Sequence, residues 1–154
     1  MEILQSGSDQ WHRVDFEEPF DVSPVVVMGP LTLNGGDPTV MRVRNVTEIG
    51  FEFQMDEWDY KDGWHTTETV QFIAMEPGQH EIDGLKVEAG MMSVNQSWQT
   101  VSFSQAFAQV PVVFSQVSSV NESDAVTTRL RNIAANSFQV QLEEEEEFYW
   151  ILAK

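Results

Sequence analysis

A segment rich in aromatic and acidic side chains, Glu57–Glu68, is the part of the sequence best suited to chemistry. It reads EWDYKDGWHTTE, and the Asp62-Gly63 pair at its centre is a hairpin turn signal. Aromatic rings stack on the apolar C–H face of a sugar, and carboxylates and amides hold its hydroxyl groups in fixed directions. We therefore predict an exposed hairpin that binds carbohydrate. The candidate binding residues are Trp58, Asp59, Tyr60, Asp62, Trp64 and His65.

Other chemistry has weaker support in the sequence. The same rings could pack beneath the hairpin or contact another protein, and an exposed aromatic patch fits a contact site of either kind. The acids of the segment could bind a hard cation, but their spacing matches no known calcium loop. The chain has no cysteine and its three histidines are scattered, so we expect no metal site and no cofactor. No nucleophile elbow or phosphate loop is present, and we predict a protein that is not an enzyme.

The runs that flank this segment indicate an all-β fold. In Phe51–Asp56, apolar and polar residues alternate with the period of a half-buried strand, and no helical periodicity is visible along the chain. The predicted strands of the first half are Ile3–Ser6, Trp11–Phe16, Pro24–Leu33, Thr39–Val46, Phe51–Trp58 and Thr67–Met75.

The sequence contains this unit twice. Shifted by 87 residues, Trp11–Glu57 aligns with Trp98–Glu144 without a gap, with 15 identities in 47 positions. We predict two tandem six-stranded antiparallel β-sandwiches, at residues 1–76 and 86–154, with a linker at 77–85. Repeat 2 is nine residues shorter where repeat 1 has its aromatic segment, so its hairpin is shortened. In repeat 2 we expect a turn at Glu143–Glu147 and a last strand at Phe148–Ala153.

Charge restricts the partners. The formal net charge is −17, from 25 acids and 8 bases, and such a charge repels phosphate backbones, so nucleic acid is a poor partner. Separately, no apolar run is long enough to insert into a membrane. Residues Met1–Leu4 lack the basic start and apolar run of a signal peptide. Four of the eight bases occupy matching positions in the two repeats, which favours a structural role in pairing with nearby carboxylates. These bases are Arg42, Arg44, Arg129 and Arg131.

The order of these motifs resembles the H-type lectin domain of snail agglutinins and discoidins, in its bacterial form, over essentially the whole chain. The residues that carry the resemblance are Ile3–Gly7, Trp11, the F-x-x-x-F of Phe16 and Phe20, Pro24–Val26, Arg42–Phe51 and Trp58. The family implies six-stranded antiparallel sandwiches, trimers, and non-catalytic binding of galactose or N-acetylgalactosamine. The sugar-binding tryptophan of the family matches Trp58, whereas Asp59 stands at its histidine and Pro38 at its arginine.

Two functions follow. The first is a carbohydrate-binding, lectin-like module that acts in cell adhesion at an extracellular, cell-surface or virion-surface location. The alternative is a structural module of an oligomeric extracellular appendage or virion fibre, in which the hairpin contacts protein. For both functions the resemblance favours a homo-oligomer, and among oligomers it favours a trimer.

Overall fold

The computed structural model describes residues 1–121 and 123–144, and the regular structure in these ranges is antiparallel β. This agrees with the all-β prediction. The strands of repeat 1 are β1 (Glu2–Gln5), β2 (His12–Asp15), β3 (Val25–Met28), β4 (Thr39–Thr47), β5 (Gly50–Glu57), β6 (His65–Thr69) and β7 (Phe72–Met75). The remaining strands are β8 (Gly78–Ile82), β9 (Leu85–Ala89), β10 (Gln99–Ser102), β11 (Val126–Arg131) and β12 (Ser137–Glu144).

The central sheet of repeat 1 has the strand order β2-β5-β4. Because successive side chains of a strand point to opposite faces, the alternating apolar residues of β5 all reach the same side. Phe51, Phe53 and Met55 are buried there. Arg42 of β4 lies opposite Gln54 of β5, on the other face of the sheet.

The apolar core lies between this sheet and two shorter strand pairs, β1 with β6 and β3 with β7. The two residues Val70 and Gln71 separate β6 from β7, so the single strand predicted at Thr67–Met75 is interrupted. The Val70 N–H donates to the carbonyl oxygen of Met1 (2.9 Å), and its side chain is fully buried. The core residues are Ile3, Val26, Met28, Val43, Phe51, Phe53, Met55 and Val70.

Repeat 2 contains the same three-stranded sheet, in the order β10-β12-β11. Its register equals that of repeat 1 at the shift of 87 residues. His12 pairs with Phe53 and Gln99 with Val140, while the cross-strand pair Arg42 and Gln54 recurs as Arg129 and Gln141. An edge-to-face ring pair recurs as well, with a centroid distance of 4.9 Å in both repeats. The duplicated sequence therefore builds the same sheet twice.

The prediction of a hairpin at Glu57–Glu68 is wrong. β5 pairs with β2 on one side and β4 on the other, whereas β6 pairs with β1. Both edges of β5 are occupied, so the chain after Glu57 crosses to a different sheet through the loop Trp58–Trp64. The turn signal at Asp62-Gly63 is real, since Gly63 has φ +71° and Asp62 Oδ1 accepts from the Trp64 N–H (3.0 Å). A turn does not by itself pair the strands on either side of it.

A hairpin forms instead in the segment expected to be a linker. β8 and β9 pair, with Ile82 opposite Leu85. Asp83 and Gly84 both have positive φ, at 49° and 79°, which is the backbone of a type I′ turn, and Asp-Gly is a strong sequence signal for that turn. Of the two Asp-Gly pairs, the one at 83–84 and not the one at 62–63 joins paired strands.

The acidic run near the end of repeat 2 also differs from expectation. Glu143 and Glu144 belong to β12 and pair with Thr127 and Val126, so they are not part of a turn. The rest of the predicted turn and the strand predicted at Phe148–Ala153 lie outside the described residues.

Candidate functional site

A cleft of about 510 Å³ opens on the polar face of β4 and β5. Three other segments contribute to its walls: residues 8–11, the loop Trp58–Trp64 and, from repeat 2, Val120, Asn121 and Ser123. The described residues that line it are Ser8, Asp9, Trp11, Arg42, Arg44, Gln54, Asp56, Glu57, Trp58, Asp59, Lys61, Asp62, Gly63, Val120, Asn121 and Ser123.

Half of the predicted binding residues line this cleft. Trp58, Asp59 and Asp62 are in its wall, and the Trp58 ring is half-buried. Tyr60 and Trp64 are exposed and do not line it. The Lys61 N–H donates to the Trp58 carbonyl (2.8 Å), which tightens the loop into a turn. The structure thus divides the predicted aromatic group between the cleft and the open surface.

His65, the sixth predicted binding residue, is buried in β6 between two carboxylates. Its Nδ1 lies 2.8 Å from Glu57 Oε1, and its Nε2 lies 3.4 Å from Glu68 Oε1. The ring also packs against Gly35, where an added Cβ would come within 2.7 Å of Nε2. His65 therefore acts from below the cleft, by holding the Glu57 carboxylate in place.

Glu68 organises the loop that precedes β4. Its carboxylate accepts hydrogen bonds from the Thr32 hydroxyl (2.5 Å) and from the backbone N–H groups of Asn34 (2.9 Å) and Gly35 (2.7 Å). Burial acts to raise the pKa of Glu68, but these hydrogen bonds together outweigh it and hold the pKa below its ordinary value. The loop depends on an ionised carboxylate that sequence reasoning had left unassigned.

The floor of the cleft contains a buried ion pair. Arg42 Nη1 donates to Asp56 Oδ2 (2.7 Å) and to the backbone oxygen of Asp124 (2.5 Å), which belongs to repeat 2. Burial raises the pKa of Asp56 above its ordinary value, and the attraction of Arg42 only partly offsets this. Repeat 2 thus covers part of the polar face of β5, although the alternating pattern of β5 is that of a solvated face.

The other three predicted structural arginines differ in their partners. Arg44 pairs with Glu52 (2.7 Å) and stacks on Trp11 (3.8 Å to the ring centroid), and its hydrogen bond lowers the pKa of Glu52. In repeat 2, Arg129 pairs with Glu143. Arg131 stacks on Trp98 (3.9 Å) but donates to the Gln139 amide (2.9 Å), so it bonds no carboxylate among the described contacts.

Two acceptor oxygens in the cleft wall have no donor in the part of the chain that the structure describes. Gln54 Oε1 and Glu57 Oε2 are buried, and neither accepts a hydrogen bond from any residue that the structure describes. Buried polar atoms are nearly always hydrogen-bonded, so a donor from a bound molecule or a water would be stabilised at these two oxygens. Sequence reasoning missed Gln54 because its alternation with Phe53 and Met55 indicated only exposure.

Asn121 and Ser123 reach the cleft from repeat 2. The sequence does not indicate that these two residues belong to the cleft, because only the packing of the two repeats brings them to β4 and β5. Within residues 1–121 and 123–144, no group of three or more His, Asp or Glu side chains is arranged to hold a metal ion. The described part of the chain also contains no helix long and apolar enough to cross a membrane.

Comparison with known proteins adds one similarity. Over 155 aligned positions, the chain is 30% identical to Halomucin of Haloquadratum walsbyi (strain DSM 16790 / HBSQ001). The alignment covers 94% of the chain but 2% of Halomucin, so the chain corresponds to a small part of that protein. No protein-family model and no solved structure matches the chain.

Proposed function

We propose that the chain is a non-catalytic carbohydrate-binding module whose binding site is the cleft on β4 and β5. The observation that carries this proposal is a pair of buried acceptors, Gln54 Oε1 and Glu57 Oε2, that have no donor within residues 1–121 and 123–144, in a cleft whose wall also contains the half-buried Trp58. A volume of about 510 Å³ lies within the usual range of small-ligand sites, about 300–1,000 Å³.

The chemistry of the cleft matches a polyhydroxylated ligand. A buried acceptor without a donor costs about 1–3 kcal/mol, and a ligand hydroxyl that donates to it removes that cost. His65 fixes one oxygen of Glu57 and leaves the other for the ligand. Trp58 provides an apolar surface for the C–H face of a sugar ring. A galactose-type sugar fits both features of the cleft, because it has hydroxyl donors for the two acceptor oxygens and a C–H face for the Trp58 ring.

The proposed architecture is the H-type-lectin-like sandwich, twice. The packing of β1 and β3 against β2-β5-β4 in repeat 1 supports it, and so does the repetition of the three-stranded sheet in repeat 2. A homo-oligomer, with a trimer favoured, belongs to the same proposal. We also propose an extracellular or cell-surface location, supported by the similarity to a protein named Halomucin.

A glycan array followed by titration calorimetry tests the proposed function. Trp58→Ala should weaken binding at least tenfold, about 1.4 kcal/mol, because the ring lines the cleft. Trp64→Ala is the matched control: it removes the same ring from the same loop, but outside the cleft, and should leave affinity unchanged. Gln54→Leu removes one acceptor and should also weaken binding. Equal losses from both tryptophan variants, or no glycan bound at all, would refute this site.

A second candidate is the structural assembly module, which one observation favours. Tyr60 and Trp64 are large, exposed rings in one loop and do not belong to the cleft, so they suit a protein contact. Large assemblies in solution that are lost in the Tyr60→Ala, Trp64→Ala double variant, together with an empty glycan array, would support this candidate over the first.

A further inference from the structure

We propose that the β11–β12 face of repeat 2 is a docking surface for the Gly29–Asp37 loop of a second copy of the chain. The two copies would associate head to tail, with repeat 1 of one copy against repeat 2 of the other. This inference does not rest on glycan binding. It rests on a contact that the chain already makes internally and on the two matching surfaces that this contact leaves unused.

The internal contact joins residues 116–121, 123 and 124 of repeat 2 to the β4–β5 face of repeat 1. Arg42 donates to the Asp124 backbone oxygen (2.5 Å), and Gln116 Nε2 donates to the Met41 backbone oxygen (2.8 Å). As a result the Arg42–Asp56 ion pair is buried, with the Arg42 side chain 2% exposed. The loop of one repeat thus covers the arginine face of the other.

The equivalent ion pair of repeat 2 is exposed. At the shift of 87 residues, Arg42 and Asp56 correspond to Arg129 and Glu143, and these two form the same ion pair between the same strands. There the arginine side chain is 58% exposed and the carboxylate side chain 42%. Repeat 2 therefore presents the same docking surface without an occupant among the described residues.

The equivalent loop of repeat 1 is also free at its tip. Gly29–Asp37 corresponds to Gln116–Asp124 and shares its Asn and Asp positions, 34 with 121 and 37 with 124. Leu33 at the tip is 91% exposed, whereas the matching Val120, which lines the cleft together with residues of repeat 1, is 37% exposed. Glu68 holds the loop from behind through Asn34 and Gly35, so the loop is fixed in shape before it meets a partner.

A chain with one free loop and one free face of complementary type forms heterologous contacts, which close into a ring or continue as a filament. Position 29 is glycine where repeat 2 has Gln116, so one hydrogen bond of the internal contact is absent from the contact between copies. The intermolecular contact should therefore be weaker than the internal one. Copies of net charge −17 also repel each other, and salt should strengthen the association.

Sedimentation equilibrium of the full chain tests the proposal, in about 1 M salt, where charges are screened beyond about 3 Å. Leu33→Glu damages the loop, Arg129→Met damages the face, and both sites are exposed enough for the fold to survive. Ile49→Glu introduces the same charge at an exposed residue of the β4–β5 turn and is the control for Leu33→Glu. Melting curves of the three variants should match that of the unmutated chain.

For the unmutated chain and Ile49→Glu, the measured mass should rise with concentration above the 17.5 kDa of one chain. Leu33→Glu and Arg129→Met, each measured alone, should keep the mass of one chain. An equimolar mixture of Leu33→Glu and Arg129→Met should form dimers and no larger species, because one variant retains a good face and the other a good loop. A single-chain mass for the unmutated protein at all concentrations would overturn the proposal. So would a mixture that does not associate, or damaged variants that associate like the unmutated chain.

Discussion

Replacing the same arginine in each repeat provides a direct measure of how repeat 2 covers repeat 1. Arg42→Met and Arg129→Met remove equivalent guanidinium groups from equivalent ion pairs and leave side chains of similar length. The two pairs have the same strand register and differ in burial. Any difference in the loss of stability between the variants therefore reports the environment of the pair.

The structure predicts very different magnitudes. Arg42→Met leaves the Asp56 carboxylate, with an 8% exposed side chain, in the interior and removes the hydrogen bond to Asp124. Loss of one partner from a buried pair costs about 3–5 kcal/mol. Arg129→Met breaks an exposed pair, and such pairs contribute about 0–1 kcal/mol. The free energy of unfolding should thus fall several times more for Arg42→Met.

The loss from Arg42→Met should also depend on pH. The pKa of Asp56 is already above its ordinary value of 3.8 in the folded chain, and removal of Arg42 raises it further. A carboxyl group with a raised folded pKa binds more protons in the folded chain than in the unfolded chain. Stability therefore decreases as pH rises through that window. The cost of Arg42→Met should be largest at neutral pH and smaller near pH 4, where Asp56 accepts a proton.

Urea unfolding at a few micromolar protein, at pH 7 and pH 4, measures these differences, since dilution keeps association from contributing. Unfolding followed by fluorescence and by circular dichroism should give coincident curves if the chain unfolds in one step. Equal losses for Arg42→Met and Arg129→Met at pH 7 would refute the reasoning. That result would mean that Gln116 and Asp124 do not cover the β4–β5 face in solution.

Three further predictions concern the loops and the core. The pKa of Glu68 in the folded chain is below its ordinary value of 4.5, so the ionised carboxylate stabilises the fold above pH 4.5 and this stability is lost on acidification. Glu68→Gln should therefore flatten the acid side of a plot of stability against pH. Gly63→Ala should cost more than the about 1–2 kcal/mol expected for alanine at positive φ, since its Cβ would lie 2.8 Å from the Ser8 nitrogen. Gly84→Ala, at φ +79° with open space around it, should cost only that amount, and equal melting temperatures would contradict the Ser8 contact. Phe51→Ala should cost about 3–5 kcal/mol, and the equivalent but half-buried Phe138→Ala should cost less in the same unfolding assay.

Local patterns predicted β1, β2, β4 and β5 to within one residue at each end, but the strand predicted at Pro24–Leu33 already ends at Met28 and the one predicted at Thr67–Met75 is two strands. The alternation of Phe51, Phe53 and Met55 with polar neighbours placed the core face of β5 correctly, and the repeat at 87 residues placed β10, β11 and β12 by analogy with β2, β4 and β5. These features are visible in sequence because a strand with one buried face repeats every two residues, and a duplication preserves that pattern.

Strand pairing was harder to predict from the sequence than strand position. Both Asp-Gly pairs, at 62–63 and 83–84, have the composition of a hairpin turn, yet only the second joins paired strands. A turn sets the local direction of the chain, but pairing depends on which strand edges remain free. The edges of β5 were already occupied by β2 and β4, which are distant from the loop Trp58–Trp64 in sequence.

The sequence by itself determined the β class, the duplication, the acidic surface and the presence of stacking and hydrogen-bonding groups near Trp58. Only the tertiary structure decided which of these groups share a cleft. It placed Trp58 in the wall, left Trp64 outside, and buried His65 beneath Glu57. It also brought Asn121 from repeat 2 to the edge of the cleft. The physical reason is that side-chain burial depends on contacts between segments far apart in the chain. A short-range sequence pattern does not indicate which segments make those contacts.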